Sequence, residues 1–243
     1  MKKKKILIPI LLTIIIGLIS LIYIAPKKEK APELKPIILE QPIEKEKNGI
    51  NIEKLQTDYH NENIIGYIII PNVVNYPILQ TDNNEYYLNH DIEKNQNIKG
   101  SIFMDYRVTY NDNKILIYGH SGKEQDLPFL QLNNYDDESF FKDNSTIYLY
   151  SKDKVYTYEI FSSYVETKDL DYVNIKSFNG LTWLEHLEKL KDKSNFKKDI
   201  TLTNDTKILI LQTCSMNQSI YSEGGKYKLI IAKLINTEDN LYE

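Results

Sequence analysis

A single cysteine, Cys214, and a single arginine, Arg107, stand in a chain of 243 residues. One thiol cannot close an intramolecular disulfide, so a disulfide-stapled scaffold is excluded. A lone cysteine and four scattered histidines also make no zinc-ligand spacing. No metal and no cofactor is expected, and Asp105 and the Asp136-Asp137-Glu138 cluster read as solvated acidic loops rather than calcium ligands. Positive charge is short beyond the N-terminus. Leaving out the seven lysines and one glutamate of residues 1–30 gives 23 basic against 33 acidic residues, a net charge of −10. Such a surface repels phosphate backbones, so no nucleic-acid partner is expected. No internal repeat is present. The scarcity of arginine beside abundant Lys, Asn, Ile and Tyr reads as AT-rich coding and says nothing about chemistry.

What is present begins with Lys2 to Lys5, followed by an uncharged run from Ile6 to Ala25. At about 1.5 Å per residue this run reaches ~30 Å, enough to cross a bilayer's hydrocarbon core. Tyr23-Ile-Ala-Pro26 offers no good cleavage site, so an uncleaved anchor is expected rather than a signal peptide. The lysines ahead of the run predict a cytoplasmic N-terminus. The expected organisation is a basic tail over 1–5, a transmembrane anchor over 6–25, a charged, proline-bearing stalk over 26–50 and one globular domain over 51–243. This makes a single-pass plasma-membrane protein with its globular domain outside the cell.

The globular part reads mainly as strands. A short helix is predicted over Ile52 to Asn61, with Ile52, Leu55 and Tyr59 on one face. Strands are predicted at Ile64–Ile70, Val73–Leu79, Ser101–Met104, Lys114–Tyr118, Thr146–Tyr150, Val155–Val165, Lys207–Thr213 and Tyr227–Leu234. Leu181, Leu184, Leu187 and Leu190 form a helical stripe over Leu181–Lys191, with Ser177 or Asn179 as its cap. Many short strands with one or two helices imply a barrel or a sandwich.

Cys214 ends an apolar strand, between the polar residues Gln212-Thr213 and Ser215, where the chain leaves the core. A free cysteine is often a small core filler. In an oxidising compartment, a strand-end thiol reads instead as a nucleophile, which needs a base nearby. Of the histidines, His60 lies on a polar helix, His186 beside Glu185 reads as solvated, and His90 is ambiguous. His120 follows the strand Ile115-Leu-Ile-Tyr118 and Gly119, repeating the layout around Cys214, and is the expected partner.

These residues carry a family resemblance. Ile210-Leu-Gln-Thr-Cys214 resembles the Thr-Leu-x-Thr-Cys signature of sortases, and Tyr118-Gly-His120 resembles their Tyr-Gly-His segment. Gly66-Tyr-Ile-Ile-Ile-Pro71, Tyr76-Pro-Ile-Leu-Gln80, Tyr86-Tyr-Leu-Asn-His90 and Gly100-Ser-Ile-Phe-Met-Asp-Tyr-Arg107 are similar, in order and approximate spacing, to class B sortases. The resemblance runs from about Ile52 to Leu234. It implies a mainly β fold, an eight-stranded barrel with an N-terminal helix and a helix inserted between strands 6 and 7. It also implies a cell-wall transpeptidase of Gram-positive bacteria. Cys214 would attack after a threonine in the C-terminal sorting signal of a surface protein, and His120 would move the protons. The acyl group would pass to a peptidoglycan amine. By the same resemblance Asn84, Leu88, Gln212, Thr213 and Ser215 line the peptide groove.

The chain departs from the family at one point. Sortases place an arginine at the start of the strand after the cysteine, and here Tyr227 takes that place, with Lys226 and Lys228 beside it. Tyr227 or Lys226 is therefore expected to orient the substrate or meet the oxyanion. Two other readings stay open at this level: a sortase-like module that binds without turnover, and a membrane-anchored cysteine peptidase in which water replaces the amine.

Overall fold

The computed structural model describes residues 49–122, 126–166, 170–214 and 227–242. The expected tail and anchor, and the stalk up to residue 48, lie outside them. The expectation of a single-pass plasma-membrane protein with an extracellular catalytic domain has to be corrected. Among the described residues no helix is long and apolar enough to cross a membrane.

Eight strands close into a barrel in the order β1-β2-β3-β4-β7-β8-β6-β5. They are β1 Ile64–Ile70, β2 Val74–Leu79, β3 Phe103–Met104, β4 Lys114–Tyr118, β5 Thr146–Tyr150, β6 Lys154–Glu166, β7 Ile208–Cys214 and β8 Tyr227–Asp239. Closure leaves no open sheet edge to cover. Helix α1 (Ile52–Asp58) precedes β1, α2 (Glu138–Asp143) follows β4, and α3 (Trp183–Asp192) lies between β6 and β7.

Alternation along each strand sorts the apolar residues into three cores. Ile68, Ile78, Met104, Ile117, Leu149, Ile160, Leu211 and Ile230, one from each strand, belong to a single cluster that fills the barrel. Leu116, Phe161, Ile210, Leu229 and Ile231 point outward and pack with Leu187 and Leu190 of α3. A second outer cluster joins Ile52 of α1 to Ile64, Tyr67, Ile69 and Tyr150. Both faces of β4 and β7 are thus buried. This explains why Lys114-Ile-Leu-Ile-Tyr118 and Ile208-Leu-Ile-Leu211 are nearly continuous apolar runs rather than alternating ones.

Helix α3 starts at Trp183, later than the leucine stripe suggests. Its cap is Thr182, not Ser177 or Asn179. The Thr182 side chain accepts from the Glu185 backbone N–H while the Glu185 carboxylate accepts from the Thr182 backbone N–H, a reciprocal capping box. His186 also departs from expectation. It is 1% exposed, stacked on Phe178 at 4.4 Å, with Nε2 3.0 Å from the amine of buried Lys114. Its position on the helix turns it toward the barrel, so it is a packed residue rather than a solvated one.

Candidate active site

Among the strand pairs, β4 and β7 run parallel, with Tyr118 opposite Gln212. Parallel neighbours leave a sheet in the same direction, about 4.8 Å apart. Two residues beyond that pair the chain reaches His120 on one strand and Cys214 on the other. Past the ladder the two ends are stitched together. Gly119 N–H donates to the Gln212 carbonyl at 3.2 Å, Thr213 Oγ1 to the Gly119 carbonyl at 2.7 Å, and Ser121 Oγ to the Cys214 carbonyl at 2.5 Å.

Alternation fixes the face. Leu116, Ile210 and Leu229 point outward, so by twos Tyr118, Gln212, Cys214 and Tyr227 continue that outer side. Thr213 and Lys228 continue the inner side. Lys228 is accordingly buried and its amine bonds Asp136 at 2.6 Å, away from the cysteine. Tyr227 is the direct antiparallel partner of Cys214, a relation that puts their Cβ atoms about 5 Å apart on one face.

These residues open into a cavity of about 530 Å³. It is lined by Asn84, Leu88, Tyr106, Arg107, Tyr118, His120, Leu170, Tyr172, Val173, Gln212, Thr213, Cys214 and Tyr227, with Phe103 and Gly119 beneath. A second concavity, of about 710 Å³ along α3, is lined by leucines, lysines and carboxylates and contains no cysteine, serine or histidine.

Cys214 is half-buried. Burial pushes its thiol above the ordinary value, so the resting group at neutral pH is the thiol rather than the thiolate. His120 donates from Nε2 to the Leu88 carbonyl at 2.6 Å. With the proton on Nε2, Nδ1 is the ring nitrogen left to exchange a proton.

Gly100 makes room for this imidazole. Its φ is +57°, and a Cβ there would lie 2.9 Å from His120 Cδ2 and 2.6 Å from the Tyr87 carbonyl. Gly100→Ala is expected to lower stability by about 1–2 kcal/mol and to shift the ring. A thermal melt with a parallel activity assay checks this, and unchanged values in both would refute it. Gly119 is equally confined, since a Cβ would meet the Phe129 ring at 2.7 Å.

The expected groove residues differ in what their polar atoms do. Leu88 is 42% exposed at the rim. Asn84 uses its amide on Asp105 and its carbonyl on the Tyr106 N–H. Gln212 accepts from Tyr172 Oη at 2.8 Å, and the Thr213 hydroxyl is committed to Gly119. Ser215 and Lys226 lie outside the described residues.

Sequence reasoning missed Leu170, Tyr172 and Val173, which reach the cleft from the β6–β7 connection. It also misread Asp105, which is fully buried and accepts from Tyr118 Oη at 2.7 Å, Asn84 Nδ2 at 3.0 Å and Arg107 Nη2 at 2.6 Å. A solvated loop carboxylate it is not. Among the described residues no cluster of acidic, histidine or cysteine side chains fits a metal ion.

A half-buried thiol at the end of β7 and an imidazole just past the end of the parallel strand β4 share one cleft of a closed β-barrel, an arrangement able to carry cysteine acyl transfer. The sortase domain profile matches residues 68–234. Sortase B of Staphylococcus aureus is 32% identical over 222 residues, covering 82% of this chain and 89% of its own. The S. aureus sortase B–substrate complex superposes with a TM-score of 0.66 at 31% identity, covering 76% of this chain and 84% of the other. A sortase B solved in complex with triglycine gives 0.66 at 32%, covering 76% and 85%. The chain belongs to the sortase family of cysteine transpeptidases, and these relatives are class B members.

Proposed function

We propose that this protein cleaves a C-terminal sorting signal after threonine and transfers the acyl group to a peptidoglycan amine. The observation that carries the reading is the parallel β4–β7 register, which delivers His120 and Cys214 to one rim of one cleft. In the first half-reaction Cys214 gives its proton to His120 and Sγ attacks the threonine carbonyl carbon. The C–N bond then breaks as His120 protonates the departing amine, leaving a thioester. In the second, His120 takes a proton from the incoming amine, whose nitrogen attacks the thioester carbonyl. The C–S bond breaks and the thiol is restored. A substrate-bound S. aureus relative and a triglycine-bound relative support a peptide donor and an amine acceptor.

Tyr227, at the position where sortases carry an arginine, supplies a neutral hydrogen bond to the oxyanion or the substrate carbonyl. Its cross-strand pairing with Cys214 and its place in the cleft wall support this role. Tyr227→Phe is expected to slow acylation by about 10–10², and an unchanged acylation rate would remove Tyr227 from the site.

The whole reading is tested by adding a threonine-containing sorting-signal peptide and following the protein mass. An acyl adduct is expected, and a primary amine added afterwards converts the released product from acid to amide. An adduct that yields only acid at every amine concentration favours a peptidase, and no adduct with any such peptide favours a binding module.

A further inference from the structure

One wall of the cleft lies outside the barrel. Leu170, Tyr172 and Val173 face the cavity from a 3₁₀ turn, Asp171–Val173, in the β6–β7 connection. No strand ladder fixes this turn. Tyr172 is buried in the outer core with Phe161 and Leu229, and the polar ties of the turn to the barrel are side-chain bonds: Arg107 Nη2 to the Val173 carbonyl at 3.1 Å, Lys114 Nζ to the Asn174 carbonyl at 2.9 Å, and Tyr172 Oη to Gln212. The Asp171 carboxylate in turn holds Lys189 of α3 at 2.9 Å.

Arg107 is anchored in its own right. Its Nε donates to Asp105 Oδ1 at 2.8 Å and its Nη2 to Oδ2 at 2.6 Å, while its backbone N–H donates to Oδ1 at 2.9 Å. The same buried carboxylate holds Asn84, four residues before Leu88, and Tyr118, two residues before His120. Two sides of the cleft therefore converge on Asp105, and Arg107 extends that hub to a third, the wall. The chain uses lysine at every other basic position and places its one arginine here. A planar fork with a further donor fits this geometry, whereas a lysine ammonium is a point charge that cannot grip both carboxylate oxygens and reach the carbonyl.

We propose that Arg107 is a positioning residue for acyl transfer: braced on Asp105, it holds the Leu170–Val173 wall in place so that the substrate peptide is gripped between this wall and the Cys214–His120 rim. Its Nε hydrogen and its Nη2 hydrogens are used by Asp105 and Val173, and the role proposed for it runs through the wall rather than through the reacting carbonyl. The catalytic part of this statement rests on the transpeptidase reading above. The hold on the wall does not.

The test compares the full chain with Arg107→Gln and Arg107→Lys by three measurements. They are amide hydrogen exchange over residues 170–175 and 208–213, the rate of Cys214 alkylation by iodoacetamide, and steady-state kinetics with a threonine sorting-signal peptide. In Arg107→Gln, exchange at 170–175 is expected to rise at least tenfold while β7 stays protected. Alkylation, which needs no wall, is expected to stay within twofold, and KM to rise at least tenfold with a smaller change in kcat. Arg107→Lys recovers less than half of the lost wall protection. Exchange at 170–175 within twofold of the parent in both variants overturns the proposal, as does a fall in kcat at constant KM. If Arg107→Gln loses β7 protection, Arg107→Lys decides by the same exchange criterion. A parent protein that forms no acyl adduct contradicts the transpeptidase reading, and the exchange comparison still decides whether Arg107 holds the wall.

Discussion

Cys214→Ala is expected to abolish acyl transfer. Removing the nucleophile of a site whose groups act as a unit costs about 10⁴-fold or more in turnover, and no second thiol exists in the chain to substitute. The expected result is an acyl mass increment on the parent protein after mixing with a sorting-signal peptide, and none on the variant. Folding should survive, since Cys214 lies at the last position of β7, half-buried at a strand end where little core packing is lost. A melting temperature within a few degrees of the parent, together with loss of the adduct, assigns the loss to chemistry. An adduct that persists in Cys214→Ala would place the nucleophile elsewhere.

His120→Ala is the second large effect. Loss of a general acid–base group lowers rates by about 10²–10⁴. The structure adds a separate expectation about the thiol. Burial raises the Cys214 thiol above its ordinary value, and on that ground a neutral resting thiol is expected with or without His120. Only the thiolate is alkylated. The iodoacetamide rate should therefore climb about tenfold per pH unit from pH 6 to 8, in the parent and in His120→Ala alike. Peptide acylation should fall steeply in the variant while alkylation stays within a few-fold. If alkylation fell in parallel with acylation, the resting site would hold a thiolate–imidazolium pair and the neutral-pair reading would be wrong.

The strands were the most legible part of the sequence because burial on both faces writes itself as apolar runs. Lys114–Tyr118 and Thr146–Tyr150 were delimited to the residue, β8 was underestimated where it runs on into its largely exposed end from Ile235 to Asp239, and β6 fell short by one residue at each end, exposed Lys154 and buried Glu166. His120 and Cys214 stood out because each ends such a run. That they end on neighbouring strands was invisible, since the parallel register joins positions about ninety residues apart. The misreadings share a cause. His186 and Asp105 are polar residues whose burial depends on partners far away in the chain, Lys114 for the first, Tyr118 and Asn84 for the second. Neither burial is written in the neighbouring residues, so pattern reasoning assigned both to solvent. The cleft wall of Leu170, Tyr172 and Val173 was missed for a related reason. It has no ladder and no period, and is held by the burial of Tyr172 and by side-chain bonds to β4, β7 and the β3–β4 turn.

The proposed placing of Tyr227 where the sortase resemblance expects an arginine gains definition from the fold. Tyr227 faces Cys214 directly across the β7–β8 ladder. Lys228 is turned inward onto Asp136, and Arg107 is occupied with Asp105 and Val173. Among the described residues, the side chain paired directly with Cys214 across that ladder is thus a phenol rather than a cation.

The most direct test of the acyl-transfer reading is the intact mass of the protein during turnover of a threonine sorting-signal peptide, with and without a primary amine. The expected species is a thioester on Cys214 equal in mass to the acyl fragment ending in threonine, discharged faster as amine is added, with amide replacing acid as product. A protein that cleaves the peptide without ever carrying that mass, or that releases only acid however much amine is present, would contradict it.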